Sequence, residues 1–257
     1  MSNKNKPLGK KCYGSIGHLP NSRMGPSDSA ITPGQSRIAT VKKRDKHDNI
    51  VVQEKLDGSC VGVAKKNGEL LALTRKGYLA ETSNFELHHW WGAWVKAHAN
   101  QFDSVIQEGE RICGEWLTHA HGTIYELPHQ PFVAFDIFGV DGNRFIFKDF
   151  CRRINDHFTG PRTILYQDGS SISIKEAVEY YGEFGFHGAK EQIEGYVWRV
   201  ERKGAVNFLC KYVRSDKIDG KYLNGDPVLN TWKGNVIRSP ILCGSPILYD
   251  IINEILV

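Results

Sequence analysis

The sequence predicts an α+β protein with two antiparallel sheets and flanking helices. Strand-like segments outnumber helical ones, and the helices do not alternate with them as in a doubly wound parallel sheet. Two turn signals, Asn67-Gly68 and Lys203-Gly204, join neighbouring strand-like runs into hairpins, the connection that antiparallel strands use. About 40% of the 257 residues are apolar and 11% are aromatic, which is enough for a sizeable core.

The individual elements follow from hydrophobic spacing and residue type. Runs rich in β-branched, aromatic and other apolar residues predict strands at 49–55, 59–66, 69–75, 111–117, 132–138, 143–147, 194–202 and 205–214. Helical spacing predicts helices at 84–102, 148–158, 173–181 and 246–257.

Composition divides the chain into three parts. Residues 1–48 are rich in Gly, Pro, Ser, Lys and Arg with little periodicity, which predicts an ordered or semi-ordered N-terminal arm. Residues 49–214 hold nearly all strand-like runs and form the predicted core. Residues 215–257 form a short C-terminal extension that is expected to pack on the core.

Charge and cysteine usage narrow the class of protein. The formal net charge of +4 permits an anionic partner such as nucleic acid without requiring one. The six cysteines are scattered without a C-x-x-C pair, which favours reduced thiols over a zinc site. The N-terminus lacks an apolar signal segment, and no run of about 18 apolar residues exists. The expectation is therefore a cytoplasmic protein without a membrane partner.

The most informative motif is Glu54-Lys55-Leu56-Asp57-Gly58. It places a lysine at a predicted strand end, directly before an Asp-Gly pair that turns the chain tightly. By itself the pattern arises by chance in about a few per cent of chains of this length, where it is an ordinary surface turn.

Five further residues follow this motif in a fixed order, each at or near a strand end or beside aromatic residues. They are Arg75, Glu115, Phe135, Glu194 and Lys211.

As an ordered set, these residues resemble the covalent nucleotidyltransferase superfamily of DNA ligases, RNA ligases and mRNA capping enzymes. The resemblance is closest to the ATP-dependent RNA ligases and spans about Asn49 to Arg214. It implies a nucleotidyltransferase (ATP-grasp-like ligase) core with the nucleotide in a groove between two sheets. The 43 residues after Arg214 are too few and too irregular for a full OB-fold, which favours a compact RNA ligase.

The resemblance also implies roles. Lys55 takes AMP from ATP, Lys211 binds phosphate, and both are catalytic. Arg75 contacts the ribose side of the nucleotide, and Phe135 stacks on adenine. Glu115 binds a ribose hydroxyl or positions the metal, and Glu194 is associated with the metal. The implied cofactors are ATP and Mg²⁺, with Mn²⁺ as a substitute, and the implied partner is RNA ends. The implied nucleotide-binding set is Glu54, Lys55, Asp57, Gly58, Arg75, Glu115, Phe135, Glu194 and Lys211.

The chemistry requires these residue types. An amine attacks phosphorus only when it is neutral, and a free lysine is protonated at pH 7. Cations such as Lys211, Arg75 and Mg²⁺ are expected to lower the pKa of Lys55 and to offset phosphate charge. Mg²⁺ takes oxygen ligands, which Glu115 and Glu194 supply.

Two parts of the pattern leave alternatives open. The final motif of the resembled family usually has two lysines, whereas Leu209-Cys210-Lys211 has one; Arg214 or Lys217 is a candidate for the second cation. In the arm, His18 and Arg23 either recognise an RNA end or phosphate or belong to a structural loop.

The sequence supports one main hypothesis for the function and leaves three alternatives. The main hypothesis is an ATP-dependent RNA ligase that joins 5′-phosphate and 3′-hydroxyl ends through lysyl-AMP. The competitors are a DNA ligase, a GTP-using capping-type enzyme, and a non-catalytic protein that binds nucleic-acid ends. The structural alternatives are a core role for Phe135 and a surface role for Arg75, Glu115 and Glu194.

Overall fold

The structure, a computed structural model, describes residues 6–223, 225–233 and 235–236. The strands are β1 (Gly17–His18), β2 (Asp48–Lys55), β3 (Ser59–Lys66), β4 (Glu69–Thr74), β5 (Arg111–Trp116), β6 (Glu126–Leu127), β7 (Phe132–Phe138), β8 (Thr163–Ile164), β9 (Gly195–Arg202), β10 (Ala205–Val213), β11 (Thr231–Trp232) and β12 (Asn235–Val236). The helices are α1 (Pro33–Thr40), α2 (Glu86–Ala97), α3 (Ala99–Val105), α4 (Phe147–Ile154) and α5 (Ile174–Tyr181).

Two larger sheets dominate the described residues. One has five strands in the order β1-β10-β9-β2-β8, and the other has four in the order β4-β3-β5-β7. Their pairings are antiparallel except that of β1 with β10. A small third sheet, β12-β11-β6, joins the C-terminal extension to the core. The predicted α+β class, with two antiparallel sheets and flanking helices, is confirmed.

Side-chain alternation gives each larger sheet an outer and an inner face. On β2, Ile50 and Val52 enter the apolar core that includes Ala39 of α1 and Tyr181 of α5. The alternate side chain Gln53 borders the space between the sheets instead. Burying an aliphatic side chain stabilises the fold by about 1.5–3 kcal/mol, so the outer core holds β2 in a register that directs Gln53 and Lys55 inward.

The four-stranded sheet repeats this arrangement. Helices α2, α3 and α4 cover its outer face through Trp91, Phe102 and Phe150, which pack with Phe132 of β7. Helices thus cover the outer faces of both sheets, and the inner faces meet across a groove.

Two predicted elements differ from the structure. The single helix at 84–102 is wrong, because the chain forms α2 and α3 with a break at His98. The strand at 143–147 is also wrong. The Asp141 carboxylate accepts a hydrogen bond from Asn143 N and closes the turn, and α4 begins at Phe147. Instead of a strand, this segment forms an isolated antiparallel β-bridge between Phe138 and Arg144.

The arm contains more regular structure than its composition predicts. Helix α1 begins with a capping box, in which Thr32 Oγ1 accepts from Gln35 N and Gln35 Oε1 accepts from Thr32 N. The Thr-Pro-Gly-Gln sequence is the local signal that identifies this helix start. The predicted helix at 246–257 lies outside the described residues, and the division at 48/49 and 214/215 stays a prediction. None of the described helices is long and apolar enough to cross a membrane.

Candidate active site

A cavity of about 920 Å³ lies between the inner faces of the two sheets. The structure places every residue of the predicted nucleotide-binding set at its lining, although the residues come from segments far apart in the chain. These residues are Glu54, Lys55, Asp57, Gly58, Arg75, Glu115, Phe135, Glu194 and Lys211. Their placement in one groove follows from the structure, and their individual roles stay predictions.

The turn after Lys55 carries the chain from one sheet to the other. Strand β2 ends at Lys55 and β3 begins at Ser59. A Cβ atom at Gly58 would lie 2.6 Å from Trp116 O, so only glycine allows the turn to approach β5 this closely. Gly58 N also donates to Glu115 Oε1 at 3.1 Å. The turn therefore couples the Lys55 segment to the carboxylate of the opposite sheet.

Asp57 anchors the turn from the other side. Its carboxylate accepts a hydrogen bond from Gly122 N at 2.8 Å and forms an ion pair with Lys217. Its own N–H donates to Tyr125 Oη at 3.1 Å. These contacts give Asp57 a positioning role for the turn, a role that the sequence did not show.

Lys55 lies among carboxylates. Its Nζ is 2.6 Å from Glu194 Oε2, with 23% of the lysine side chain and 10% of the glutamate side chain exposed. Burial lowers the pKa of Lys55, but the charges of Glu194, Glu115 and Asp57 outweigh it, and the net pKa lies above the ordinary value. The predicted effect of Lys211 and Arg75 on this pKa is not enough to lower it in the protein chain itself, because the carboxylates dominate around Nζ.

Glu115 and Glu194 supply more negative charge than Lys55 neutralises. Burial raises the pKa of Glu115 to about 7, with Lys55 opposing the shift and Glu194 reinforcing it. Burial also raises the pKa of Glu194, again against the effect of Lys55. Two desolvated carboxylates that face one lysine form a site suited to a hard divalent cation.

The sequence of the core matches a known protein family. The RNA ligase family model matches residues 48–213, from β2 to the end of β10. The chain belongs to the RNA ligase family. No curated protein matches this chain in sequence.

Several solved RNA ligase structures align with this family member. A mutant of Naegleria gruberi RNA ligase with ATP and Mn is 16% identical with a TM-score of 0.47, over 80% of this chain and 61% of that one. The same ligase with PPi is 18% identical with a TM-score of 0.48, over 77% and 59%. An archaeal ATP-dependent RNA ligase is 18% identical with a TM-score of 0.41, over 65% and 43%. The chain therefore spans about three fifths of the Naegleria ligase and less than half of the archaeal one.

At one end of the groove, this RNA ligase family member presents a partly buried aromatic ring. Phe135 on β7 borders the cavity together with Val197 and Leu209 of the opposite sheet. The ring of Tyr13 meets Phe135 edge-to-face at a centroid distance of 4.9 Å. A flat base inserted between Phe135 and Val197 would find an aromatic face on one side and an aliphatic one on the other.

Sequence reasoning missed Gln53 at this end of the groove. Gln53 is 3% exposed and borders the cavity, and its Nε2 has no hydrogen-bond partner among the described residues. A buried amide without a partner is costly, so a ligand atom is the natural acceptor for it. The signal was available, because residues two apart on a strand share a face and Gln53 precedes Lys55 by two.

Glu54 behaves differently from the rest of the predicted set. Its carboxylate accepts a hydrogen bond from Phe186 N at 2.9 Å, and its Oε1 has no partner among the described residues. Burial raises its pKa to about 7, opposed by the Phe186 hydrogen bond. Glu54 borders the cavity, but strand alternation directs its side chain away from Lys55.

The structure separates the candidates for the second phosphate-binding cation. Lys217 is almost fully buried and is engaged by Asp57 and Thr123 Oγ1. The Arg214 guanidinium donates to Ile193 O at 3.0 Å and pairs with Asp216. Neither lines the groove, whereas Lys211 does. Burial, reinforced by the charge of Lys55, lowers the pKa of Lys211.

Proposed function

We propose that this protein is an ATP-dependent RNA ligase that joins 5′-phosphate and 3′-hydroxyl ends through an AMP adduct of Lys55. The observation that carries the proposal is the position of Lys55 at the end of β2, in the groove between the sheets and against Glu194. Family membership over residues 48–213 supports it. ATP and a divalent metal are the proposed cofactors, in line with the groove carboxylates Glu115 and Glu194; the Naegleria gruberi RNA ligase has been solved with ATP and Mn and with AMP and Mn.

In the first step, Lys55 Nζ attacks the α-phosphorus of ATP. As the P–N bond forms, the Nζ ammonium gives up two protons, which pass by way of Glu194 to water, and pyrophosphate leaves with the electrons of the P–O bond. Arg75 and Lys211, the cations of the groove lining, offset negative charge on the phosphates.

Two further transfers complete the reaction. A 5′-phosphate oxygen of the RNA attacks the AMP phosphorus, and the electrons of the P–N bond return to Lys55, which regains a proton. The RNA 3′-hydroxyl then attacks the 5′-phosphorus, loses its proton and releases AMP. Each step exchanges one bond to phosphorus, so one groove serves all three.

The groove carboxylates fit the divalent cation that such chemistry uses. Glu115 and Glu194 would hold Mg²⁺ or Mn²⁺ together with phosphate oxygens and water, and the ion would neutralise phosphate charge when bound. The described residues contain no group of three or more His, Cys, Asp and Glu side chains arranged to hold a metal. Mg²⁺ commonly binds through one or two carboxylates plus substrate phosphates, which agrees with this donor set.

The first test is covalent labelling. The protein is incubated with α-labelled ATP and Mg²⁺ and analysed on a denaturing gel, beside Lys55→Ala and the control Lys65→Ala on β3. We expect the wild type and the control to be labelled and Lys55→Ala to remain unlabelled. Labelling of Lys55→Ala would refute the assignment, and preferential labelling by GTP would favour the capping-type alternative.

The second test concerns the polynucleotide. Matched nicked duplexes that differ only in the sugar of the 3′-hydroxyl strand separate RNA ligase from DNA ligase, because the 2′-hydroxyl and A-form geometry distinguish the two. We expect faster joining with RNA at the 3′-hydroxyl and moderate salt sensitivity. Equal or faster joining of the all-DNA duplex would leave only the broader ligase activity.

A cytoplasmic location remains part of the proposal, supported by the scattered cysteines.

A further inference from the structure

The N-terminal arm forms one wall of the groove beside Lys211. Strand β1 pairs with β10 in parallel, and His18 lies opposite Lys211 in the register. Leu19 N donates to Lys211 O at 2.8 Å, and Arg23 N donates to Val213 O at 2.9 Å. The arm is thus hydrogen-bonded along β10, and its side chains occupy set positions at the groove.

His18 is buried without full hydrogen bonding. The side chain is 1% exposed and borders the cavity. Its Nδ1 lies 2.7 Å from Ser22 Oγ, whereas Nε2 makes no hydrogen bond within the described residues. Nε2 approaches Asp28 Oδ2 at 3.1 Å, outside hydrogen-bond geometry. Asp28 therefore satisfies Nε2 by charge without a well-aligned hydrogen bond, and a phosphate oxygen in the groove would supply the aligned acceptor that this contact lacks.

Two cations, Lys211 and Arg23, line the same cavity as this imidazole. Lys211 Nζ lies 3.8 Å from Asp28 Oδ1, a weak contact with a carboxylate that Gly25 N already holds at 2.9 Å. Arg23 stands at the groove with 34% of its side chain exposed and pairs with Asp219, which is 64% exposed. The Arg23–Asp219 pair is of the exposed kind that contributes about 0–1 kcal/mol, and the Lys211–Asp28 contact is long, so a polyanion can compete for both cations.

We propose that His18, Arg23 and Lys211 form a phosphate-binding subsite built jointly by the arm and β10. It accepts phosphate oxygens that lie beyond the phosphorus attacked by Lys55. Such oxygens have two sources, the triphosphate tail of ATP and the 5′-phosphate of an RNA end. The subsite supplies positive charge that Arg214 and Lys217 do not, because both are engaged elsewhere. The assignment of its phosphates to ATP or to an RNA end rests on the proposed function.

Direct binding tests the subsite without turnover. Isothermal titration calorimetry measures the affinity of the wild type, His18→Ala and Arg23→Ala for two probes. The first probe is inorganic tripolyphosphate, and the second is a 5′-phosphorylated oligoribonucleotide, compared with its 5′-hydroxyl form. Arg37→Ala, which removes an exposed arginine of α1, is the matched control. We expect each subsite variant to bind one of the two probes about tenfold more weakly than the wild type does, and the control to bind both as the wild type does.

The two probes identify the source of the phosphate. Weaker tripolyphosphate binding assigns the subsite to the ATP tail, and loss of the 5′-phosphate advantage assigns it to the RNA end. A wild type that binds neither probe through its phosphates, or variants that bind as Arg37→Ala does, would overturn the proposal.

Conservative variants separate phosphate binding from a folding role. His18→Gln places a donor near the position of Nε2, whereas His18→Asn places its polar group near Nδ1 and keeps the Ser22 contact. We expect Gln to retain most of the binding and Asn to lose it, at similar melting temperatures. Binding by Asn equal to the wild type, or binding by Gln as weak as by Ala, would refute the role of Nε2.

The outcome for the subsite is distinguishable from that for the ligase. A protein that binds phosphate through His18 but never becomes labelled refutes the proposed function alone. A labelled, ligating protein whose His18 and Arg23 variants bind normally refutes the subsite alone.

Discussion

Two ion pairs lie at or beside the groove, and they differ in solvent access and in the balance of the charges around them. Arg199 and Asp136 join β9 to β7, and both are nearly inaccessible to solvent. Arg199 also donates to Phe145 O and Phe135 O, and Asp136 accepts from Tyr13 Oη and Arg144 Nε.

Lys55 and Glu194 form the other pair. Lys55 keeps 23% of its side chain exposed. Excess carboxylate surrounds it. Burial, reinforced by neighbouring carboxylates, raises the pKa of Glu115 to about 7 and that of Glu194 above its ordinary value.

The difference shows how one fold uses the same chemistry for two purposes. The Arg199–Asp136 pair lies out of solvent and is held by four further hydrogen bonds, although Arg199 Nε has no partner among the described residues, so it is expensive to break and holds the sheets together. A pair with unbalanced charge and solvent access can exchange partners when a phosphate or a cation arrives. Residue type does not separate the two cases, whereas solvent access and the balance of neighbouring charge do.

The same substitution at both pairs tests this contrast. We expect Arg199→Met to lower the free energy of unfolding by about 3–5 kcal/mol, because it leaves Asp136 buried without its main partner. Lys55→Met should cost about 1 kcal/mol or less, because the site is partly solvated and Glu194 can take up a proton. Urea unfolding monitored by tryptophan fluorescence measures both, and equal losses would contradict the contrast.

Glu194→Gln sharpens the functional side of the comparison. The variant keeps the shape and removes the charge that pairs with Lys55 and is available to a metal. We expect labelling by ATP to slow by about 100-fold or more, with a smaller change in nucleotide affinity. A Mg²⁺ titration of the labelling rate is the measurement, with the exposed Glu183→Gln as control. An unchanged rate across the titration would remove Glu194 from the metal site.

Glu54 is a third buried charge, with a single backbone donor in place of a cation. Its pKa of about 7 in the folded protein lies above the usual value, so the native state binds the extra proton and stability falls as the pH rises from about 4.5 to 7. Glu54→Gln cannot ionise and should be more stable than the wild type at pH 8, on the order of 2 kcal/mol. At pH 4 the two should be alike.

Thermal or urea unfolding of Glu54→Gln across this pH range measures the effect. Glu183→Gln on the surface is the matched control and should follow the wild type. A stability difference that does not grow with pH would show that Glu54 is not protonated in the folded protein. Labelling by ATP in the same variant shows whether Glu54 also belongs to the nucleotide site, as the sequence predicts.

Local signals predicted much of the fold. The turns at Asn67-Gly68 and Lys203-Gly204 each connect the two strands of a hairpin. Both residues of each turn adopt a positive φ. Asn and Gly tolerate this conformation, and Lys203 adopts it directly before a glycine. The missed helix α1 carried an equally local signal in its Thr32–Gln35 cap. The strand predicted at 143–147 failed because an apolar run does not reveal that the contact with β7 ends at Phe145, just before α4 begins.

The site divides along the same line. The sequence by itself determined the ordered chemical groups, from Lys55 with its Asp-Gly turn to Lys211, because these depend on residue type and on spacing along single strands. Only the tertiary structure decided which groups meet: Lys217 with Asp57, and His18 with Lys211. These partners are brought together by sheet register and by packing of distant segments, which depend on the whole core and leave no mark in the sequence around either residue.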